Sequence, residues 1–74
     1  MKDEEISPRV AEVWKLIAEG RTNAQIAEIM QIEQRTVEHH INTLFQALLL
    51  EEGIGHRRVL AAIHYKDWHW KLML

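Results

Sequence analysis

Between Arg35 and Leu48 the chain carries two opposed faces at one spacing. Val37, Ile41, Leu44, Phe45 and Leu48 recur at steps of three and four, the interval of a buried helical stripe. Arg35, Glu38, His39, Asn42 and Gln46 recur at the same steps on the other side, and their side chains are mostly long and hydrogen-bonding. A helix anchored on one side and polar on the other is, by default, an ordinary surface helix. The same pattern serves a helix presented to the major groove of DNA, where base edges are read by such groups. The remainder of the chain has to separate the two.

The sequence of 74 residues makes a single domain over residues 1–74. A chain of this length buries only roughly 60% of its unfolded surface, so a partner subunit would help it. There is no cysteine, which excludes disulfides and thiolate metal sites and is compatible with a reducing compartment. No signal-peptide pattern opens the sequence, and no apolar run approaches the roughly 20 residues that span a bilayer. The expectation is a soluble cytoplasmic protein with no membrane partner. Charge is unevenly placed: residues 1–52 hold five Lys/Arg against ten Asp/Glu, and residues 53–74 hold four against one. The net charge is −2, whereas nucleic-acid binders usually show a basic footprint.

Read in order, residues 1–6 form a charged lead-in that is expected to fray. Ser7-Pro8 is a helix start, with serine as cap and proline at the first helical position. Val10, Val13, Trp14 and Ile17 then make a stripe, and Gly20 suits the left-handed residue that ends a helix. Trp14 lies within that stripe and is expected in the core. Thr22-Asn23-Ala24-Gln25 has the form of a capping box. It opens a short helix to Met30, with Ile26, Ala27 and Met30 inward. Gln31, Ile32 and Glu33 make a tight turn, Ile32 plugging the core, and the third helix begins near Gln34.

Two helices joined by a few residues, the second with a polar outer face, match a helix-turn-helix. Ser7-Pro8-Arg9, Glu12-Val13, Leu16-Ile17-Ala18-Glu19-Gly20, Thr22-Asn23, Gln25-Ile26-Ala27-Glu28, Ile32, Thr36-Val37 and His40 fall in one order and spacing. That ordered set resembles the LuxR/GerE-type DNA-binding domain over about residues 6–48, and more loosely over 53–65. The resemblance implies an all-α, four-helix domain whose third helix, about residues 34–49, enters the major groove, and whose fourth often makes a homodimer. It places Thr36 and His40 where the family meets phosphate and packs helices. Glu38, His39 and Asn42 fall where it reads bases, and Arg35 at a commonly basic position. Thr43 and Gln46 complete the candidate DNA-binding set on this helix, with Arg57 and Arg58 as further candidates for phosphate.

The departures from the family pattern carry physical consequences. Glu38 stands where Lys or Arg is common; it would repel phosphate, though it would accept a hydrogen bond from cytosine N4. Val10 replaces the usual Glu, so the first helix lacks a capping box. Glu33 is a poor cap for the third helix, though its charge favours a helix N-terminus. Ile29 and Ile41 occupy positions that are often polar, and either extends the core or marks a patch for a protein partner.

Beyond Leu48 the link is longer than the family's by about three or four residues. The third helix is expected to run towards Glu51 before Gly53 stops it. A fourth spans about residues 56–65, with an extension through Trp68 open. Val59, Leu60 and Ile63, with Trp68 beyond them, form the candidate dimer contact; periodicity alone allows equally a monomer's last core helix. The aromatic tail, residues 66–74, is expected to pack with Tyr65 against a second copy or the domain's own first helix. A single-stranded nucleic-acid or membrane segment is disfavoured by its shortness and weak basicity.

Five histidines raise the question of a metal. His39 and His40 point roughly 100° apart on one helix and do not share an ion from it. His64 and His69 lack companions at ligand spacing. Ser7, the one serine, is used as a cap, and no glycine-rich phosphate loop is present. The expectation is no enzyme, no metal and no cofactor. The reading is a homodimeric, sequence-specific regulator of transcription that binds double-stranded DNA. The rival is a protein-binding module that acts on RNA polymerase or on a related regulator. No sensor or receiver segment is visible in the sequence.

Overall fold

The computed structural model describes residues 6–50 and 56–72, the side chains of the second segment through His69. Four helices follow one another: α1 (Pro8–Ala18), α2 (Asn23–Met30), α3 (Gln34–Ala47) and α4 (Arg57–Leu72). The expectations for residues 1–5, for Gly53 and the rest of 51–55, and for the side chains from Trp70 onward lie outside the described residues.

Local chemistry sets the first three helices. Ser7 Oγ accepts the Val10 N–H at 3.2 Å, and Pro8 opens α1. The helix closes on Gly20 at φ +83°, whose N–H donates to the Ile17 carbonyl while that of Arg21 donates to Leu16. At the start of α2, Thr22 Oγ1 accepts the Gln25 N–H at 3.1 Å and Gln25 Oε1 accepts the Thr22 N–H at 2.9 Å, a complete capping box. Thr22→Ala is therefore expected to lower stability by about 1 kcal/mol, read as an earlier urea midpoint with an unchanged slope. Gln31, left-handed at φ 56°, ends α2. Glu33 precedes α3 without a side-chain bond to it, as its length predicts.

The core is built around α1, which packs on both α3 and α4, while α2 packs on α3. Val10, Val13, Trp14, Leu16 and Ile17 from α1 meet Val37, Ile41, Leu44, Phe45 and Leu48 from α3, with Ile26 from α2 and Ala61 from α4. Trp14 is fully buried, and its indole Nε1 donates to the Ala61 carbonyl at 2.7 Å. Tyr65 meets it edge-on at 5.4 Å between centroids, and Trp68 lies tilted over it at 4.9 Å. Of the two supports proposed for the C-terminal aromatics, the domain's own first helix is thus the one that Tyr65 and Trp68 use.

Several sequence expectations are corrected. The third helix stops at Ala47, short of Glu51 and of the expected end near residue 49. Leu49 turns left-handed at φ 59°, the Leu50 N–H donates to the Phe45 carbonyl at 2.9 Å, and Leu50 folds onto the core. Burying Leu50 replaces a further helical turn. The fourth helix starts one residue later than expected and continues to Leu72, because Tyr65 and Trp68 both lie on its α1 side. Trp68 accordingly leaves the candidate dimer contact: nine residues beyond Val59 is half a turn away around a helix. Val59 and Ile63 remain 58% and 60% exposed, with Leu60 half-buried beside them. Ile41 extends the core, whereas Ile29 is 49% exposed.

Candidate nucleic-acid interface

The apolar side of α3 is held by α1 and α2, so its rotation about its own axis is fixed. Arg35, Glu38, His39, Asn42 and Gln46 consequently lie on its outer side, and all five are exposed. Tyr65 and Trp68, the described aromatics of the C-terminal segment, sit on Trp14 and not on this face. Thr36 is exposed at its flank, with Thr43 and His40 half-buried there. The Arg35 guanidinium approaches Glu33 at 3.6 Å, but both side chains are largely in solvent. Such a pair contributes little and leaves Arg35 available for another anion.

The neighbours of His40 disfavour its charged form. Burial lowers its pKa most, followed by His39, whose ring is 6.0 Å away, and by Arg9 of α1. A histidine with a depressed folded pKa binds its proton more readily when unfolded. Stability from this group is therefore complete above about pH 6.5, falls as the pH drops below that value, and levels off below the depressed folded pKa. His40→Gln is expected to remove this component, seen as a shallower fall of Tm between neutral and mildly acidic pH. Arg9 is the residue that sequence reasoning missed here; nothing in its spacing signals that α1 brings it to the third helix.

At the C-terminal half of α3, Asn42, Phe45, Gln46, Leu50 and Arg57 line an open notch of about 190 Å³. The Arg57 guanidinium carbon lies 4.8 Å from the Phe45 ring centroid, a cation–π contact that holds the charge beside the two carboxamides. The expectation for Arg57 is compatible with this placement. Arg58 is placed differently: it is half-buried, and its guanidinium donates to Asn23 Oδ1 at 2.7 Å and to the Arg21 carbonyl at 2.6 Å. Two of its donors are engaged within the domain and are not available to phosphate. Among the described residues, no group of three or more His, Asp or Glu gathers to hold a metal.

Residues 4–54 match the family described as "Bacterial regulatory proteins, luxR family". The chain belongs to that family. Two curated relatives extend the comparison of this luxR-family chain. It is 36% identical over 52 residues to the "Uncharacterized response regulatory protein YgeK" of Escherichia coli strain K12, across 70% of this chain and 35% of the relative. It is 42% identical over 43 residues to the "Probable transcriptional regulator ycf29" of Guillardia theta, across 58% of this chain and 21% of the relative. The luxR-family chain thus spans about a third and about a fifth of those two proteins. No solved structure matches. The four helices without a strand among the described residues agree with a helix-turn-helix domain of this family. No described helix is long and apolar enough to cross a membrane.

Proposed function

We propose that this chain regulates transcription as a sequence-specific binder of double-stranded DNA, acting as a homodimer with α3 in the major groove. The observation that carries this reading is the outer side of α3: five polar or charged side chains, exposed together on a helix whose other side is fixed in the core. Family membership and the transcriptional-regulator description of the Guillardia theta relative support it. Glu38, His39 and Asn42 discriminate bases, Gln46 lies beside them, and Arg35, Thr36, His40 and Thr43 approach phosphate from the flanks. Arg57, pinned on Phe45 beside Asn42 and Gln46, adds a phosphate contact at the C-terminal end of the groove-facing surface. The exposed Val59 and Ile63, with Leu60, meet a second copy, which sets two α3 helices about 34 Å apart in successive major grooves.

A different class of reading is favoured by two observations. Residues 1–52 carry twice as many acidic as basic side chains, and Ile29 is 49% exposed on α2. Both suit a surface that meets a protein, such as RNA polymerase or a related regulator, in place of DNA. A salt titration with random-sequence duplex separates the readings, because each neutralised phosphate steepens the fall of affinity with salt by roughly 0.9 on logarithmic axes. The DNA reading predicts binding at low salt with a slope of several such contacts. No binding at low salt, together with a stable complex with RNA polymerase, would transfer the function to the protein partner.

A further inference from the structure

Arg58 stands in the first turn of α4, yet its guanidinium reaches a part of the chain 35 residues away in sequence. One terminal nitrogen donates to the Asn23 side-chain oxygen at 2.7 Å and the other to the Arg21 backbone carbonyl at 2.6 Å. Elsewhere α4 packs mainly on α1, and α2 mainly on α3. The guanidinium fork therefore makes a direct link between α4 and the amino end of α2. That end is a closed unit, since Thr22 and Gln25 already satisfy one another's backbone donors. Gripping Arg21 and Asn23, on either side of Thr22, fixes the whole unit. A planar fork with two bonds in set directions fixes orientation as well as distance, which a lysine ammonium does not.

The next residue along α4 is Val59, which opens the exposed apolar stripe with Ile63. One helical turn thus carries both the internal fork and the start of the surface assigned to a second copy. In helix-turn-helix docking the first helix of the motif crosses the DNA backbone while the second enters the groove. Here the first of those is α2, the helix whose amino end Arg58 grips.

We propose that Arg58 is a positioning residue that couples self-association at α4 to DNA contact at α2 and α3, through Asn23 and the Arg21 carbonyl. This rests on the reading of the chain as a DNA-binding homodimer. A second copy that immobilises Val59 and Ile63 immobilises the first turn of α4, and the fork carries that constraint to the amino end of α2. The second reader is then already placed when the first has bound. By linkage the effect is reciprocal, so DNA on both half-sites strengthens the contact between copies.

The test compares wild type, R58K and N23A on two duplexes: a palindrome selected from a random pool, and the same sequence with one half-site scrambled. N23A removes one acceptor without touching α4, and the Thr22 cap remains to start α2, so it keeps the test valid if R58K folds poorly. For wild type the palindrome is expected to bind more tightly than two independent half-sites would. In R58K and N23A that cooperative advantage is expected to fall by about fivefold or more, beyond any loss of half-site affinity. The double variant should lose no more than R58K alone, because the Asn23 side chain acts through its bond to Arg58. A merely structural role would lower both affinities in parallel and leave their ratio unchanged, and that result would overturn the coupling. If wild type binds the palindrome cooperatively and the variants keep its advantage, the coupling fails alone. If wild type binds neither duplex, the homodimer reading fails and the coupling with it.

Discussion

Trp14→Ala is expected to move the urea midpoint of this domain far below that of the wild type. Trp14 is fully buried, touches the rings of Tyr65 and Trp68, and donates its indole N–H to Ala61. Truncating a buried tryptophan to alanine costs about 3–5 kcal/mol, through lost burial and the cavity left behind. At the usual 0.05–0.15 kcal/mol per residue, a domain of this size holds roughly 4–11 kcal/mol in total. One substitution therefore removes between about a quarter and all of the stability. Trp14→Phe separates the two components, since it keeps an aromatic ring against Tyr65 and Trp68 but loses the donor, for about 0.5–1.5 kcal/mol plus the smaller ring's deficit. Urea unfolding followed by far-ultraviolet circular dichroism ranks wild type above Phe above Ala. Equal midpoints for Phe and Ala would assign the stability to the hydrogen bond and not to packing.

The second large effect is expected at Asn42, through binding and not through folding. Its side chain is exposed at the edge of the notch formed with Gln46 and Arg57, so Asn42→Ala removes no core contact. Asparagine pairs two-handed with adenine, and such a pair contributes about 1–3 kcal/mol of base discrimination. Asn42→Ala should thus weaken binding to the preferred site by roughly 5- to 150-fold while binding to random duplex falls far less. The salt slope should stay unchanged, because no charge is removed. Competition between labelled preferred site and random duplex measures both affinities at once. A parallel loss on the two would assign Asn42 to backbone positioning.

How much of this was legible in the sequence follows from the range of each interaction. Ser7, Gly20, Thr22 and Gln25 act within three or four residues of themselves, and each stands in the structure as its chemistry predicts. The stripe of α3 was legible for the same reason, since periodicity names the buried side before any neighbour is known. The end of α3 was not. Leucine gives no sign of a left-handed turn, and Leu49 adopts one because Leu50 finds a place on the core that only the folded arrangement supplies. The placements of Trp68 and Arg58 depend on the folded arrangement in the same way. Trp68 follows Val59, Leu60 and Ile63 along the same helix, but its register sets it half a turn from Val59, over Trp14. Arg58 adjoins Arg57 in sequence as a second candidate for phosphate, and only the crossing of α4 near α2 shows its acceptors at Asn23 and Arg21. Among the candidate site residues, those of α3 are visible as a face; the charge of Arg9 felt at His40 and the Phe45–Arg57 contact join elements far apart in sequence, where spacing carries no information.

The claim that everything else depends on is that duplex DNA meets the outer side of α3. Backbone amide shifts of isotope-labelled protein, followed by NMR during titration with duplex, test it directly. The largest changes are expected along α3, at Arg35, Glu38, His39, Asn42 and Gln46, with smaller ones at Arg21 to Asn23 and at Arg57. Changes confined to the side of α4 that carries Val59 and Ile63, with α3 unmoved at saturating DNA, would contradict it.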